Sequence, residues 1–157
     1  MMGPIGLIDL AVHKENIPID NYRPRRVFSL KEANQTLPLV MRITRDIVAG
    51  HREISDLYAQ AHQLKESGKE DQGEELNCRI HELLQVVDGY VEELEKIGCE
   101  YKDRTKGLVD FPARMGNRLV YLCWKMGEPE VQYWHELHAG FAGRKPIDHY
   151  FSESFRA

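Results

Sequence analysis

The residues that could carry chemistry in this chain of 157 residues are concentrated between Gly107 and Ile147. This stretch contains both tryptophans and several closely spaced carboxylates and histidines. Aspartate and glutamate supply hard oxygen donors, and histidine supplies a neutral nitrogen near physiological pH. Such groups beside aromatic rings suit a metal site or an acid–base site. The candidate ligands for a divalent metal ion are Asp110, His135, Glu136 and His138.

Alternating apolar residues predict that antiparallel strands carry these groups. The strands are expected at residues 100–103, 108–112, 119–126 and 131–137. With symmetric turns, Asp110 would lie opposite Tyr121, and Tyr121 opposite Glu136. Neighbouring strands lie about 4.8 Å apart, so Asp110 and Glu136 would be roughly 10 Å apart and could share a ligand. A shift of one residue in the pairing of either hairpin would move the side chains of one strand to the opposite face of the sheet. The next row on this face would contain Leu108, Cys123 and Trp134.

A purely structural role for the same residues stays open. Asp110 and Glu136 would then accept hydrogen bonds from loop backbone N–H groups, with His135 half-buried. The spacing of His135 and His138 suits one face of a helix, but on a strand their side chains point to opposite faces. A metal site that uses both therefore requires the strand to end near His135.

A second kind of site is suggested by the glycine-containing stretch 140–145. Glycine lets the backbone approach an anion closely, and Arg144 offers a bidentate guanidinium group. The spacing is not that of a phosphate-binding Walker loop or a dinucleotide fingerprint. The alternative is that Arg144 pairs with Glu128 or Glu130. The residues predicted to contact a small anionic ligand or cofactor are Arg144, Tyr121 and Trp134.

Two apolar runs upstream predict the elements that support the strands. Residues 40–64 and 76–97 place apolar side chains alternately three and four apart, which buries a narrow stripe against a partner helix. A polar break at residues 65–73 predicts a loop, so the two helices should form an antiparallel hairpin over residues 29–97.

Local signals fix the ends of these helices. Ser29 and Glu32 have the spacing of a capping box, and Gly98 is suited to end the second helix. Pro38 lacks a backbone N–H, so a short helix to about Thr36 and a new helix with Pro38 in its first turn are predicted.

The resulting fold class is α+β, a long antiparallel helical hairpin followed by a small antiparallel sheet of three or four strands. One face of the strand at 119–126 is wholly apolar and is expected to pack on the hairpin. The predicted organisation is an N-terminal extension at 1–27, a single domain at 28–147 with its sheet at 99–147, and a C-terminal tail at 148–157. Within the extension, Ile5, Leu7 and Leu10 suggest a short strand or strap.

The composition of the chain limits the classes of binding partner and the cellular compartment that are expected for it. A net charge of −4 gives no general attraction to nucleic acid or to anionic membranes, and no segment is long enough to span a bilayer. The three cysteines match no metal-binding spacing and suggest reduced thiols in a cytoplasmic protein. Cys123 is not favoured as a nucleophile, because alternation along the strand already explains its position.

Several stretches resemble an uncharacterised bacterial family, domain of unknown function 2203. The resemblance implies a small soluble bacterial protein and no particular activity. An acidic residue often occupies the family position of His138, which weakens a role for that histidine. The matching stretches are FSLKEANQTLPLV at 28–40, GLVDFP at 107–112, YLCWKMGEPEVQYWHE at 121–136 and GFAGRKPI at 140–147.

Two functions from different classes fit these observations. The first is a binding or interaction module without enzymatic activity, which self-associates as a homodimer through the hairpin or the aromatic face of the sheet. The alternative is a metal-binding protein, such as a metal-dependent hydrolase, with its site on the C-terminal sheet. The sequence identifies no catalytic residue.

Overall fold

The computed structural model describes residues 21–148, in which two helices precede five strands. The predicted α+β fold, with a helical hairpin followed by an antiparallel sheet, is confirmed. The suggested strand at residues 5–10 and the tail beyond residue 148 lie outside the described residues. The elements are α1 Leu30–Glu66, α2 Glu70–Ile97, β1 Glu100–Asp103, β2 Leu108–Met115, β3 Arg118–Lys125, β4 Tyr133–Glu136 and β5 Lys145–Pro146.

Helix α1 begins at the predicted capping box and then continues through the proline. The Ser29 hydroxyl accepts a hydrogen bond from the Glu32 backbone N–H, and the Glu32 carboxylate accepts one from the Ser29 N–H. The predicted break near Pro38 is wrong, because α1 is a single helix. Leu37 and Val40 on either side of the proline are both buried. Burial of the apolar side chains along one continuous helix stabilises the protein by more than the loss of one backbone hydrogen bond at the proline destabilises it.

The two helices pack along their apolar stripes, as the spacing predicted. The buried residues of α2 are seven apart, which is the repeat of a coiled-coil seam. The connecting loop is shorter than predicted, because α2 already begins at Glu70 and ends at a left-handed Gly98. The buried positions of α2 are Gly73, Ile80, Val87 and Leu94.

The five strands form a meander in the order β1-β2-β3-β4-β5. The fifth strand lies in a stretch that was predicted to be irregular, where Tyr133 pairs with Pro146. A proline donates no hydrogen bond, so it is tolerated at this edge of the sheet. The apolar face of the sheet joins one core with the hairpin, as predicted. The buried sheet residues of this core are Val109, Phe111, Ala113, Val120, Leu122, Trp124 and Trp134.

The predicted pairing of the strands is wrong in both hairpins, for different reasons. Strands β2 and β3 extend to a two-residue turn at residues 116–117, so Asp110 pairs with Cys123 instead of Tyr121. This shift of two residues keeps every side chain on its predicted face. The pairing of β3 with β4 shifts by one residue, so Tyr121 lies opposite His135 instead of Glu136. This second shift exchanges the two faces of β4.

Close contact of the two helices at Gly50 gives a testable expectation. A Cβ atom at Gly50 would lie 2.5 Å from Cγ2 of Val87, whereas a Cβ atom at Gly89 would meet nothing within 4 Å. Gly50→Ala should therefore lower the free energy of unfolding by about 1–3 kcal/mol through overpacking. The control Gly89→Ala should raise it by about 0.5–1 kcal/mol, because alanine favours the helix.

Urea unfolding followed by helical circular dichroism measures both effects. Adding Val87→Ala removes the opposing methyl groups, so Gly50→Ala should no longer destabilise the protein in that background. A cost for Gly50→Ala that is the same in the wild type and in the Val87→Ala background would contradict the close contact.

Candidate functional site

The face of the sheet opposite the helices carries a compact cluster of three side chains, Asp110, Cys123 and His135. Each comes from a different strand: Asp110 pairs directly with Cys123, and His135 is on β4 next to β3. One donor atom from each residue lies within 4.8 Å of the other two. The residues are 2%, 1% and 2% exposed, respectively. Among residues 21–148, this is the group of three or more histidine, cysteine or acidic side chains able to hold a metal ion.

The hydrogen bonds of His135 define how its ring is oriented. Nδ1 lies 2.7 Å from the carbonyl oxygen of Glu136. A carbonyl oxygen can only accept, so Nδ1 carries a proton. Nε2 lies 3.0 Å from Oδ1 of Asp110. With Nδ1 protonated, the contact between Nε2 and Oδ1 is a hydrogen bond when a second proton lies between these two atoms.

Burial and neighbouring charges act in opposite directions on the pKa of His135. Burial lowers the pKa, whereas the hydrogen bond and negative charge of Asp110 and the carbonyl of Glu136 raise it. The net result is a pKa above the ordinary value of histidine. Burial and the charge of Asp110 also raise the pKa of the Cys123 thiol. Without a metal ion Cys123 is therefore a neutral thiol, which argues against a free thiolate nucleophile.

A second hydrogen-bonded group adjoins the cluster on the β1 side. Glu100 pairs directly with Asp110 across the two strands. Oε2 of Glu100 accepts hydrogen bonds from the hydroxyl of Tyr121, at 2.9 Å, and from the hydroxyl of Tyr22. Its other oxygen, Oε1, lies 3.2 Å from Nζ of Lys102. The ring of Tyr121 is next to that of His135, with centroids 5.4 Å apart. These contacts engage both carboxylate oxygens of Glu100.

The structure separates two predicted metal ligands from Asp110. Glu136 pairs with Val120, on the face opposite Asp110, and its carboxylate lies 2.8 Å from the guanidinium of Arg118. His138 is exposed in the turn after β4. Asp110 and His135 are therefore brought together, whereas Glu136 and His138 are not.

The residues predicted to contact an anionic ligand are also dispersed. Trp134 belongs to the core beneath the sheet, and Tyr121 is on the opposite face. Arg144 donates to both oxygens of Glu128, at 2.7 and 2.6 Å, which matches the alternative pairing. Its guanidinium also stacks on the ring of Tyr133, 3.9 Å from the centroid. An anion at Arg144 would have to displace Glu128, and its binding stays a prediction.

Cys123 as a member of the cluster and Glu100 as its neighbour were not predicted from the sequence. Alternation along β3 already placed Cys123 on the same face as Tyr121. The signal that could have identified it is the short Gly116–Asn117 pair, which favours a two-residue hairpin turn and so sets Cys123 opposite Asp110. Glu100 required the pairing of β1 with β2, which contains an irregularity between Tyr101 and Asp103.

Comparison with known proteins identifies a family without assigning an activity. No curated protein and no solved structure matches the chain. A family model described as "Uncharacterized conserved protein (DUF2203)" matches residues 26–147. The match includes both helices and all five strands, and therefore every residue of the Asp110, Cys123 and His135 cluster. This protein belongs to the DUF2203 family.

Proposed function

We propose that this protein binds a divalent transition metal ion, with zinc as the best fit, through Asp110, Cys123 and His135. The observation that supports the proposal is the convergence of three different donor groups, all buried and within 4.8 Å of one another. Burial of a carboxylate, an imidazole and a thiol together is costly unless they share a proton or a cation.

The donor set indicates which metal ion it would hold. Carboxylate oxygen, imidazole nitrogen and thiolate sulfur are together the ligands of zinc, whereas calcium and magnesium take oxygen ligands. Two ligands of a tetrahedral zinc ion lie roughly 3.4 Å apart, given bonds of about 2.1 Å. The 3.0 Å contact of His135 with Asp110 would therefore open slightly as the ion replaces the shared proton.

The backbone around His135 already favours this role. A histidine ligand usually donates its other ring N–H to a carbonyl or carboxylate, which fixes the tautomer and the ring orientation. The bond from Nδ1 of His135 to the Glu136 carbonyl is of this kind. It leaves Nε2 as the metal-binding atom, on the side of Asp110.

A hydrolytic role is less well supported than metal binding. Three protein ligands leave a fourth position, which is the arrangement of catalytic zinc sites. A hydrolase also needs a general base within reach of the bound water. Glu100 is the adjacent carboxylate, but both of its oxygens already accept hydrogen bonds from Tyr121, Tyr22 and Lys102. The site therefore favours holding a metal ion over activating water.

Protein purified without a histidine tag should contain stoichiometric zinc, measured by mass spectrometry of the digested sample. Substitution of a group that only orients a metal ligand costs about 10–100-fold in metal affinity. Asp110→Ala and Cys123→Ser each remove a ligand itself and should therefore weaken zinc binding by at least about 100-fold. Cobalt substitution should add a thiolate-to-cobalt charge-transfer band that Cys123→Ser abolishes.

Cys99→Ser is the matched control, because Cys99 is equally buried at 1% exposure but lies outside the cluster. It should keep both the zinc and the cobalt band. Folded wild-type protein that neither retains zinc nor binds added zinc or cobalt would refute the metal site.

A second candidate function, self-association as a homodimer, is favoured by an exposed groove on α1. Leu39 is 41% exposed and lines a groove of about 620 Å³ together with other residues of the same helix. Exposed apolar surface of this kind often marks a protein–protein interface. The groove is lined by Gln35, Pro38, Leu39, Met41, Arg42 and Arg45.

Leu39→Asp should dissociate such a dimer, because it places a charge in the centre of the buried surface. Size-exclusion chromatography with light scattering measures the mass over a range of protein concentrations. The matched control is Val86→Asp on α2, where the side chain is 49% exposed and lies away from the groove. A monomeric wild-type protein, or equal effects of the two substitutions, would contradict this interface.

We further propose a cytoplasmic location without nucleic-acid binding. All three cysteines are free thiols, and Cys78 is exposed, which suits a reducing compartment. The net charge of −4 provides no electrostatic attraction to a phosphate backbone. Among residues 21–148, no helix combines the length and apolar character needed to cross a membrane.

A further inference from the structure

The turn that joins β1 to β2, residues 104–107, packs directly on one face of α1. A Cβ atom at Gly107 would lie 3.1 Å from Cγ2 of Thr44 and 3.4 Å from Cγ2 of Val48. Residues three and four apart on a helix share a face, so His51 is the next position on this face after Thr44 and Val48. All three helical residues are buried. The turn therefore covers a stripe of α1 that ends in a buried histidine.

The second helix meets α1 at the same level. A Cβ atom at Gly50, the residue before His51, would lie 2.5 Å from Cγ2 of Val87. Asp88 follows Val87 and provides a negative charge on α2. The guanidinium of Arg104 in the turn provides a positive charge, which acts on both Asp88 and His51. His51 therefore lies at the junction of three elements, α1, α2 and the turn.

Polar side-chain atoms at this junction are buried without hydrogen bonds. Among residues 21–148, no partner is found for Nε2 of His51, Nη1 of Arg104 or Oγ1 of Thr44. A neutral imidazole has one nitrogen that only accepts, whereas a guanidinium has only donors. Protonation of His51 would make both ring nitrogens donors and would place a second positive charge beside Arg104. A buried charge without a partner is strongly unfavourable, so the junction accommodates His51 only as a neutral ring.

The charged and titratable groups around the junction support the same direction. Burial, followed by the positive charge of Arg104, lowers the pKa of His51. On α2, burial raises the pKa of Asp88, Arg104 opposes this effect, and the charge of Glu92 adds to it. On β1, burial raises the pKa of Tyr101, whose neutral hydroxyl donates to the carbonyl of Arg104 at 3.2 Å. The half-buried Asp88 therefore faces Arg104 as its counter-charge and leaves none for a protonated His51.

We propose that His51 is a pH-sensitive switch, whose protonation releases the turn at residues 104–107 from the helical hairpin. The turn joins the strands that carry Glu100 and Asp110, so its release would loosen the sheet at the edge of the polar cluster. A local opening of this kind costs less free energy than global unfolding. The switch goes beyond metal binding and does not depend on it, because His51 lies on α1, outside the cluster.

The sign of the pH dependence follows from the protons bound by the folded and the unfolded chain. A histidine in the unfolded chain takes up its proton near pH 6.5, or about the ordinary pKa. The folded protein keeps His51 neutral to lower pH. As the pH falls below about 6.5, the unfolded chain therefore binds one more proton than the folded protein, and stability decreases. One proton changes the equilibrium constant for unfolding by at most about tenfold per pH unit.

Urea unfolding of the full chain in a chelator, at about pH 7.5 and about pH 5.5, tests the switch with His51→Gln, which keeps a polar side chain that does not titrate. Between the two pH values, the unfolding constant of the wild type should rise several-fold relative to the variant, up to about tenfold. The matched control His81→Gln, at an exposed position of α2, should show no such change. A wild-type to His51→Gln ratio that is independent of pH, or an equal change for His81→Gln, would overturn the proposal. These outcomes do not depend on whether the cluster binds zinc.

Nuclear magnetic resonance of the unsubstituted protein covers the case in which His51→Gln does not fold. The ring proton of His51 should titrate with a midpoint below about 6.5. The backbone N–H of Gly107, which donates to the carbonyl of Asp103 at 3.1 Å, should change with the same midpoint as the turn is released. The N–H groups of the turn at residues 116–117 should not follow it. A midpoint of His51 at or above about 6.5, or a Gly107 signal that does not follow His51, would overturn the proposal.

Discussion

The connection between β3 and β4, residues 126–132, determines which side chains share a face of the sheet. Two hydrogen bonds hold it in place: the Val131 N–H donates to Oδ1 of Asn34 on α1, at 2.8 Å, and Nε1 of Trp124 donates to the carbonyl of Glu128, at 2.9 Å. The connection thereby ties the start of β4 to the first helix. A change of one residue in its length would exchange His135 for Glu136 beside Asp110.

The sequence was most informative where a pattern repeats many times. Apolar residues spaced alternately three and four positions apart over two long runs predicted the hairpin. Apolar residues spaced two positions apart predicted β2 and β3. A single residue with a strong local preference was less informative. Pro38 suggested a break, but burial of Leu37 and Val40 on both sides keeps α1 continuous. Packing along the whole stripe thus outweighed the preference of one residue.

The candidate site was predicted in part, because its residue types are visible in the sequence but their pairing is not. Asp110 and His135 were both named, and they are in direct contact. Cys123, their third member, was not predicted, since its place opposite Asp110 depends on the length of one turn. Glu136 was predicted in error beside Asp110, because the start of β4 is held by Asn34, which lies far earlier in the chain on α1. A contact between residues as far apart in the chain as Asn34 and Val131 cannot be predicted from a local sequence pattern.

The hydrogen bond between His135 and Asp110 explains how these two ionisable side chains of the cluster can be buried together. An unpaired buried carboxylate would be strongly destabilising, and removing one partner of a buried pair typically costs about 3–5 kcal/mol. The imidazole of His135 meets that requirement, and under the proposed function a metal ion would meet it by taking the place of the proton between Nε2 and Oδ1. The metal ion of the proposed function would therefore replace an interaction that already compensates the buried carboxylate.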